Sequence, residues 1–351
     1  MTKAAWHAQP VVALCESSRL AAAQRQDQLT KPQGSLGRME ELAIELAARQ
    51  ATERPSLERI AIIIFAGDHG VAAEGVSAFP SEVTSQMLAN YVNGGAAISV
   101  LARSLGASLT VVDVGTRNER ALPNVVQRKV APSTRNFAQE SAMSPAQVAD
   151  AMAVGAEMVD SVKPRPDLVV LGEMGIGNTT SAAAVAAAVL GQQPSHLVGA
   201  GTGVDAAIVE RKALIIEAAL ARAGCAGVPI SAVDALRLVG GFEIAALTGA
   251  MVRAAQLGIG VAVDGFIASV AALCAVDLNA GVRPWLTFGH RSLERGHRLV
   301  LERLEAKPLL DLEMRLGEAS GAAICVPLLR LACDLHNQMA TFEEAAVANR
   351  A

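Results

Sequence analysis

The chain has 351 residues, 52% of them hydrophobic and 18% charged, so it can bury a large core and lies outside the disordered class. Thirty Lys and Arg against thirty-four Asp and Glu leave a net charge of −4, with aromatics at only 3%. The basic footprint and the stacking rings of a nucleic-acid binder are both missing, and the composition suits a soluble enzyme with a small ligand.

Residues 5–25 read as helical, and the polar start lacks the apolar core of a signal peptide. The apolar run Ile60–Phe65 stops at Gly67-Asp68-His69-Gly70, and Leu109–Val114 stops at Gly115-Thr116. Ser144-Pro145-Ala146-Gln147 gives an N-cap, a proline at N1 and a capping-box Gln, with Val148 and Met152 on one helical face behind it. Leu168–Leu171 stops at Gly172-Glu173-Met174-Gly175, and Ile259–Val263 stops at Asp264-Gly265. Residues 291–350 read as helical again, and Thr341-Phe342-Glu343-Glu344 is a capping box that should open a final helix.

Short apolar strands without alternation, each ending in a polar turn and passing into a helix, predict a doubly wound, Rossmann-like α/β fold. Its parallel sheet is covered on both faces, and ligands bind outside the carboxyl ends of the strands. A small helical domain built from both termini completes the arrangement. The boundaries expected are 26–290 for the large α/β domain carrying the nucleotide site, and 1–25 with 291–351 for the helical domain carrying Glu318. No membrane span is expected: Ala182–Leu190 is far too short, and Leu257–Val276 is broken by Asp264 and three glycines. Five cysteines (Cys15, Cys225, Cys274, Cys325 and Cys333) form no CxxC pair and leave an odd count, which points to a reducing cytoplasm.

Gly172 to Ser181 is the most informative turn. Its glycines let backbone N–H groups converge, and Thr179 and Thr180 add hydroxyls where a helix begins. That is either a phosphate cradle or a tight strand–helix turn with structural glycines. No lysine follows as in a Walker loop, and the third glycine of a dinucleotide fingerprint is absent. A second turn, Gly199-Ala200-Gly201-Thr202-Gly203, precedes Asp205 and Arg211-Lys212 and also suits a phosphate. Glu318, between Gly317 and Ala319-Ser320-Gly321, is either a buried proton acceptor with a raised pKa or a carboxylate at a helix N-terminus. Asp68 either caps the next segment or holds a nearby loop. His290, Glu294 and His297 have ligand-like spacing, but Arg291, Arg295 and Gly296 oppose a cation there, so no metal is expected.

Nine segments stand together in one family. They are Lys31 to Arg38, Ala66 to Val71, Gly75 to Pro80, Gly94 to Ile98, Gly172 to Thr180, Gly199 to Asp205, Gly240 to Glu243, His290 to Ser292, and Gly317 to Gly321. On these the sequence resembles, over nearly its full length, the bacterial nicotinate-nucleotide–dimethylbenzimidazole phosphoribosyltransferases. The resemblance implies transfer of 5-phosphoribose from nicotinate mononucleotide to 5,6-dimethylbenzimidazole. The products are α-ribazole 5′-phosphate, for the lower nucleotide loop of cobalamin, and nicotinate.

It further implies Glu318 as general base, inversion at C1′, and Glu173 at the ribosyl nucleotide. Gly175, Ile176, Gly177, Asn178, Thr179, Thr180, Gly203 and Lys212 would hold the phosphoribosyl group, with Asp264 and Ser292 nearby. Ser77, Phe79, Gln86, Met87 and Leu316 would line the benzimidazole slot. The family fold is a parallel α/β domain with a small helical domain, usually dimeric, and no metal or cofactor is implied. Two other readings stay open: a nicotinamide-cofactor oxidoreductase and a catalytically silent nucleotide binder. The same chemistry on a different lower-ligand base is a third.

Overall fold

The computed structural model describes residues 6–199, 201 and 205–348. Two helices come first, α1 (Glu16–Gln28) and α2 (Arg38–Gln50). Then follow β1 (Ile60–Gly67), α3 (Glu82–Val92), α4 (Ala97–Leu105), β2 (Ser108–Gly115), β3 (Val126–Gln127) and α5 (Pro145–Ser161). The middle of the chain holds β4 (Leu168–Met174), α6 (Asn178–Leu190), α7 (Ala206–Arg222), α8 (Ala232–Val239) and α9 (Phe242–Gln256). The last part holds β5 (Gly260–Val263), α10 (Phe266–Leu278), β6 (Leu286–Phe288), α11 (His297–Arg303) and α12 (Ser320–Gln338).

The six strands form one sheet in the order β3-β2-β1-β4-β5-β6, and every pair is parallel. The chain winds from β1 outward to β2 and β3, then returns to β4 on the other side. The strand order therefore reverses between β1 and β4, and a crevice opens at their carboxyl ends.

The unbroken apolar strands have two buried faces. Ile63, Phe65, Val112, Val169, Leu171, Val261 and Val263 pack in one core with α5, α6, α8, α9 and α10. Ile62, Ile64, Val111, Leu168, Val170 and Ala262 pack in the other with α2, α3, α4 and α12. Residues alternate between two interiors, so no polar face interrupts the pattern. Small residues let the helices approach closely: a methyl group on Gly155 of α5 would stand 1.8 Å from the Ala246 carbonyl oxygen of α9.

The Ser144–Gln147 capping box forms as expected, with Pro145 at the first helical position. Thr341 and Glu344 also make both reciprocal bonds, but they close a turn rather than opening a helix. Ala346, at φ +52°, has already left the helical region there. The helical reading of 291–350 holds only for α11 and α12. The stretch between them is irregular, and Leu310 pairs with His290 to extend the end of β6. β3 and β6, two and three residues long, are too short to leave a periodic signal.

Helix α2 packs on α1 and on α12, while α11 packs on α10 beside the sheet.

Candidate active site

A cavity of about 490 Å³ lies at the carboxyl ends of β4, β5 and β6, within the range of small-ligand sites. Each wall has a local reason for its place. β4 ends in Glu173-Met174, and the Gly175–Gly177 turn delivers the N-terminus of α6 into the cavity. Asp264 and Gly265 come from the end of β5, and His290 and Ser292 from the segment after β6. Helix α3 contributes Val83 and Met87, one turn apart, and the loop before it contributes Val76, Ser77 and Phe79. Helix α7 supplies Lys212, and the approach to α12 supplies Arg315, Leu316, Gly317 and Glu318.

Glu318 reaches the strand ends through an unusual backbone. Gly317, Glu318 and Ala319 all lie in the left-handed region, at φ +82°, +60° and +64°. The two non-glycine residues each cost about 1–2 kcal/mol there, so the surroundings must hold them. One constraint is Asp264, whose Oδ1 accepts the Ala322 N–H at 3.0 Å and sits 3.5 Å from His290 Nε2. Burial raises the pKa of Glu318, helped by the Asp264 charge and opposed by the Tyr91 hydroxyl beside it. Its carboxyl therefore holds a proton more readily than a free glutamate does.

Glu173 is 5% exposed and receives the Asn178 side-chain N–H at the start of α6. Burial and the charges of Glu243, Asp264 and Glu318 push its pKa well up, against the opposing effect of the Glu318 amide. Beneath the glycine turn, His69 bridges Glu243 and Ser181 through hydrogen bonds of 2.8 Å on each ring nitrogen. This tethers the first turns of α6 and α9 to the end of β1.

The opposite end of the cavity is cationic. Lys212 is 2% exposed and donates to Thr179 Oγ1 at 3.3 Å. Burial lowers its pKa, and the nearby Glu294 carboxyl raises it. A phosphate placed between this ammonium and the N-terminus of α6 would meet backbone N–H groups, a hydroxyl and a positive charge together.

The structure thus brings Glu318, Glu173, Gly175, Ile176, Gly177, Asn178, Thr179, Lys212, Asp264, Ser292, Ser77, Phe79, Met87 and Leu316 around one cavity. Thr180 lies behind its wall, fully buried. Gln86 is not brought in: it sits one residue from the inward Met87, about 100° round the helix, and is exposed. Gly203 lies outside the described residues. Asp68 holds a loop, accepting the Arg117 N–H at 2.8 Å. His297 has both ring nitrogens engaged, by the Ser292 N–H and by Ser269 Oγ, each at 2.9 Å. Its pKa is lowered to about 3, chiefly by burial, so the ring stays neutral.

Sequence reasoning missed Glu294, Arg315 and His290 as cavity residues, and Tyr91 beside Glu318. Helical spacing from Met87 was the legible signal, four residues back to Val83 and four forward to Tyr91.

Fold and site together define an α/β enzyme of group transfer. The N-terminus of α6 and the buried Lys212 line the same cavity as a buried carboxyl, Glu318. A family model described as "Phosphoribosyltransferase" matches residues 11–347. The nicotinate-nucleotide–dimethylbenzimidazole phosphoribosyltransferase of Bradyrhizobium sp. strain BTAi1 is 56% identical over 346 residues, 98% of each chain. That of Xanthomonas axonopodis pv. citri is 56% identical, covering 94% of this chain and 95% of the relative. The crystal structure of the Thermus thermophilus enzyme of the same name superposes with a TM-score of 0.89 at 41% identity. It covers 96% of this chain and 100% of that one. The chain belongs to the nicotinate-nucleotide–dimethylbenzimidazole phosphoribosyltransferase family.

Proposed function

We propose that this chain moves 5-phosphoribose from nicotinate mononucleotide to 5,6-dimethylbenzimidazole, with Glu318 as general base. The observation that carries the reading is the placement of a buried carboxyl, Glu318, in the same cavity as the α6 N-terminus and Lys212. The phosphate sits at the Lys212 end, held by Gly175, Ile176, Gly177, Asn178 and Thr179, with Thr180 behind that wall. The benzimidazole lies among Ser77, Phe79, Met87 and Leu316, near Glu318, with Gln86 outside the slot in this conformation. Asp264 and Ser292 flank the ribose, and Glu173 lies below it.

The C1′–N bond of the substrate breaks with its electron pair passing to a pyridinium nitrogen. Nicotinate therefore leaves without protonation. The incoming base forms the new bond through one ring nitrogen and must lose the proton from the other. Glu318 takes that proton, and a positioned base contributes ~10²–10⁴-fold. Attack from the face opposite the leaving group inverts C1′ from β to α. The carboxylates grouped around Glu173 favour positive charge as it develops at the ribosyl carbon.

Incubation with nicotinate mononucleotide and a panel of benzimidazoles, purines and phenols, read by chromatography, tests the reaction and the base together. Appearance of α-ribazole 5′-phosphate with equimolar nicotinate is expected. An intact nucleotide with every base would refute the reading. The oxidoreductase alternative has no comparable support, since Thr180 occupies the place of the third fingerprint glycine.

We also propose a cytoplasmic homodimer and a two-part chain. All five cysteines are free thiols, four of them buried, and no described helix is long and apolar enough to cross a membrane. A helical layer from both ends is supported by the packing of α2 on α1 and on α12, but not the boundaries 26–290 and 1–25 with 291–351: α2 belongs with that layer, and α11, which packs on α10, with the sheet body.

A further inference from the structure

Tyr91 is the single tyrosine of the chain, and it is 1% exposed. It lies in the core layer that holds Ala319 and Ala322, on either side of the first residues of α12. Its hydroxyl is buried without a geometrically complete hydrogen bond among the described residues. A phenylalanine would fill the same space without leaving a polar atom unpaired, so packing does not explain the hydroxyl. Tyr91 continues the stripe of α3 that begins with Val83 and Met87, at i, i+4 and i+8. The stripe therefore runs from the wall of the cavity inward to the carboxyl of Glu318, beside which the hydroxyl stands.

We infer that Tyr91 is a positioning residue for Glu318: its hydroxyl donates to one carboxylate oxygen and leaves the other facing the incoming base. The inference rests on Glu318 being the base. An unpaired hydroxyl beside an acid completes its hydrogen bond when the acid ionises, which is the form that must accept the proton. Other titratable groups face this pair: Glu173 from β4, Asp264 from the end of β5, and His290, in contact with Asp264, from the segment after β6. Lys212, Glu294 and Arg315 stand in the same cavity. All of them remain in a Tyr91→Phe variant, so that change isolates the hydroxyl.

The test is the pH profile of kcat/KM for Tyr91→Phe against the unaltered enzyme, taken as a ratio at each pH so that titration of the base substrate cancels. Loss of a donor to the carboxylate moves the acid limb to higher pH. The ratio should therefore fall roughly threefold or more as pH is lowered from 8.5 through the acid limb of the unaltered enzyme, with KM for nicotinate mononucleotide unchanged within about twofold. In a Glu318→Gln background the same change should cost nothing further, because the acceptor it serves is gone. A pH-independent ratio, or an equal loss in both backgrounds, overturns the role of Tyr91. If instead Glu318→Gln alone keeps its turnover, the reading of Glu318 as base fails first, and the two failures are told apart. Melting temperatures of the two proteins check that the fold is intact.

Discussion

Gly172 and Ala319 are in contact across the sheet: a methyl group on Gly172 would stand 2.5 Å from the Ala319 backbone nitrogen and 2.6 Å from its Cβ. The middle of β4 therefore acts as a seat for the left-handed turn that carries Glu318. Neither side can retreat, because the strand is paired on both edges and Ala322 is tied to Asp264. Gly172→Ala should destabilise the fold by about 1–3 kcal/mol through overpacking. Turnover should fall more than the folded fraction does, because Glu318 is displaced from the base slot. Calorimetry beside single-turnover kinetics separates the two effects, and wild-type turnover with a lowered melting temperature would show that the seat does not set the geometry of the site.

Glu318→Gln keeps the shape and removes the proton acceptor. Turnover should drop by ~10² or more with nucleotide affinity little changed. A rate within about threefold of the unaltered enzyme would take Glu318 out of the role of base.

Lys212→Ala should weaken binding of nicotinate mononucleotide by about 1.5–3 kcal/mol, the scale of a hydrogen bond to a charged group, and spare binding of free dimethylbenzimidazole. Titration calorimetry with each ligand reads both quantities. Equal losses for the two would place the phosphate elsewhere.

The raised carboxyl groups make a prediction about stability as well as rate. In Glu173 and Glu318 the folded-state pKa lies above the ordinary value of 4.5, so the folded chain holds these protons more tightly than the unfolded chain. Their contribution to stability is therefore fully present below 4.5 and is lost as pH rises through the folded pKa. Above that range Glu173→Gln and Glu318→Gln should melt higher than the unaltered enzyme, and the advantage should shrink as pH falls toward 4.5. Melting curves from pH 4 to pH 8 measure it, and a difference independent of pH would contradict the account. The acid limb of kcat/KM should appear in the same direction, with activity lost as Glu318 takes up its proton.

Exhaustive chelation should leave activity unchanged. The leaving nicotinate departs from a pyridinium and needs no cation to neutralise it. His297, one of three residues with ligand-like spacing, commits both ring nitrogens to Ser292 and Ser269. Loss of activity restored by magnesium or zinc would overturn that account.

The sequence by itself determined four of the strands and the turns that end them. β1, β4 and β5 were legible as unbroken apolar runs, because both of their faces are buried, and β2 as a largely apolar run that carries Thr110 and Asp113. The Gly175–Thr179 turn and Glu318 were legible because glycine pairs bracket them. Long-range placement was decided only by the tertiary structure. Tyr91 and Glu318 are far apart in sequence, and the core layer that α3 and the start of α12 share on one face of the sheet brings them together. Glu294 carried a metal-like spacing in the sequence, but packing against Gly199 and Gly201 sends it to Lys212 instead. Thr341 and Glu344 satisfied every local rule for a helix start and still closed only a turn. Local hydrogen bonds fix a cap, whereas continuing the helix needs a face to bury, and residues 345–348 are exposed.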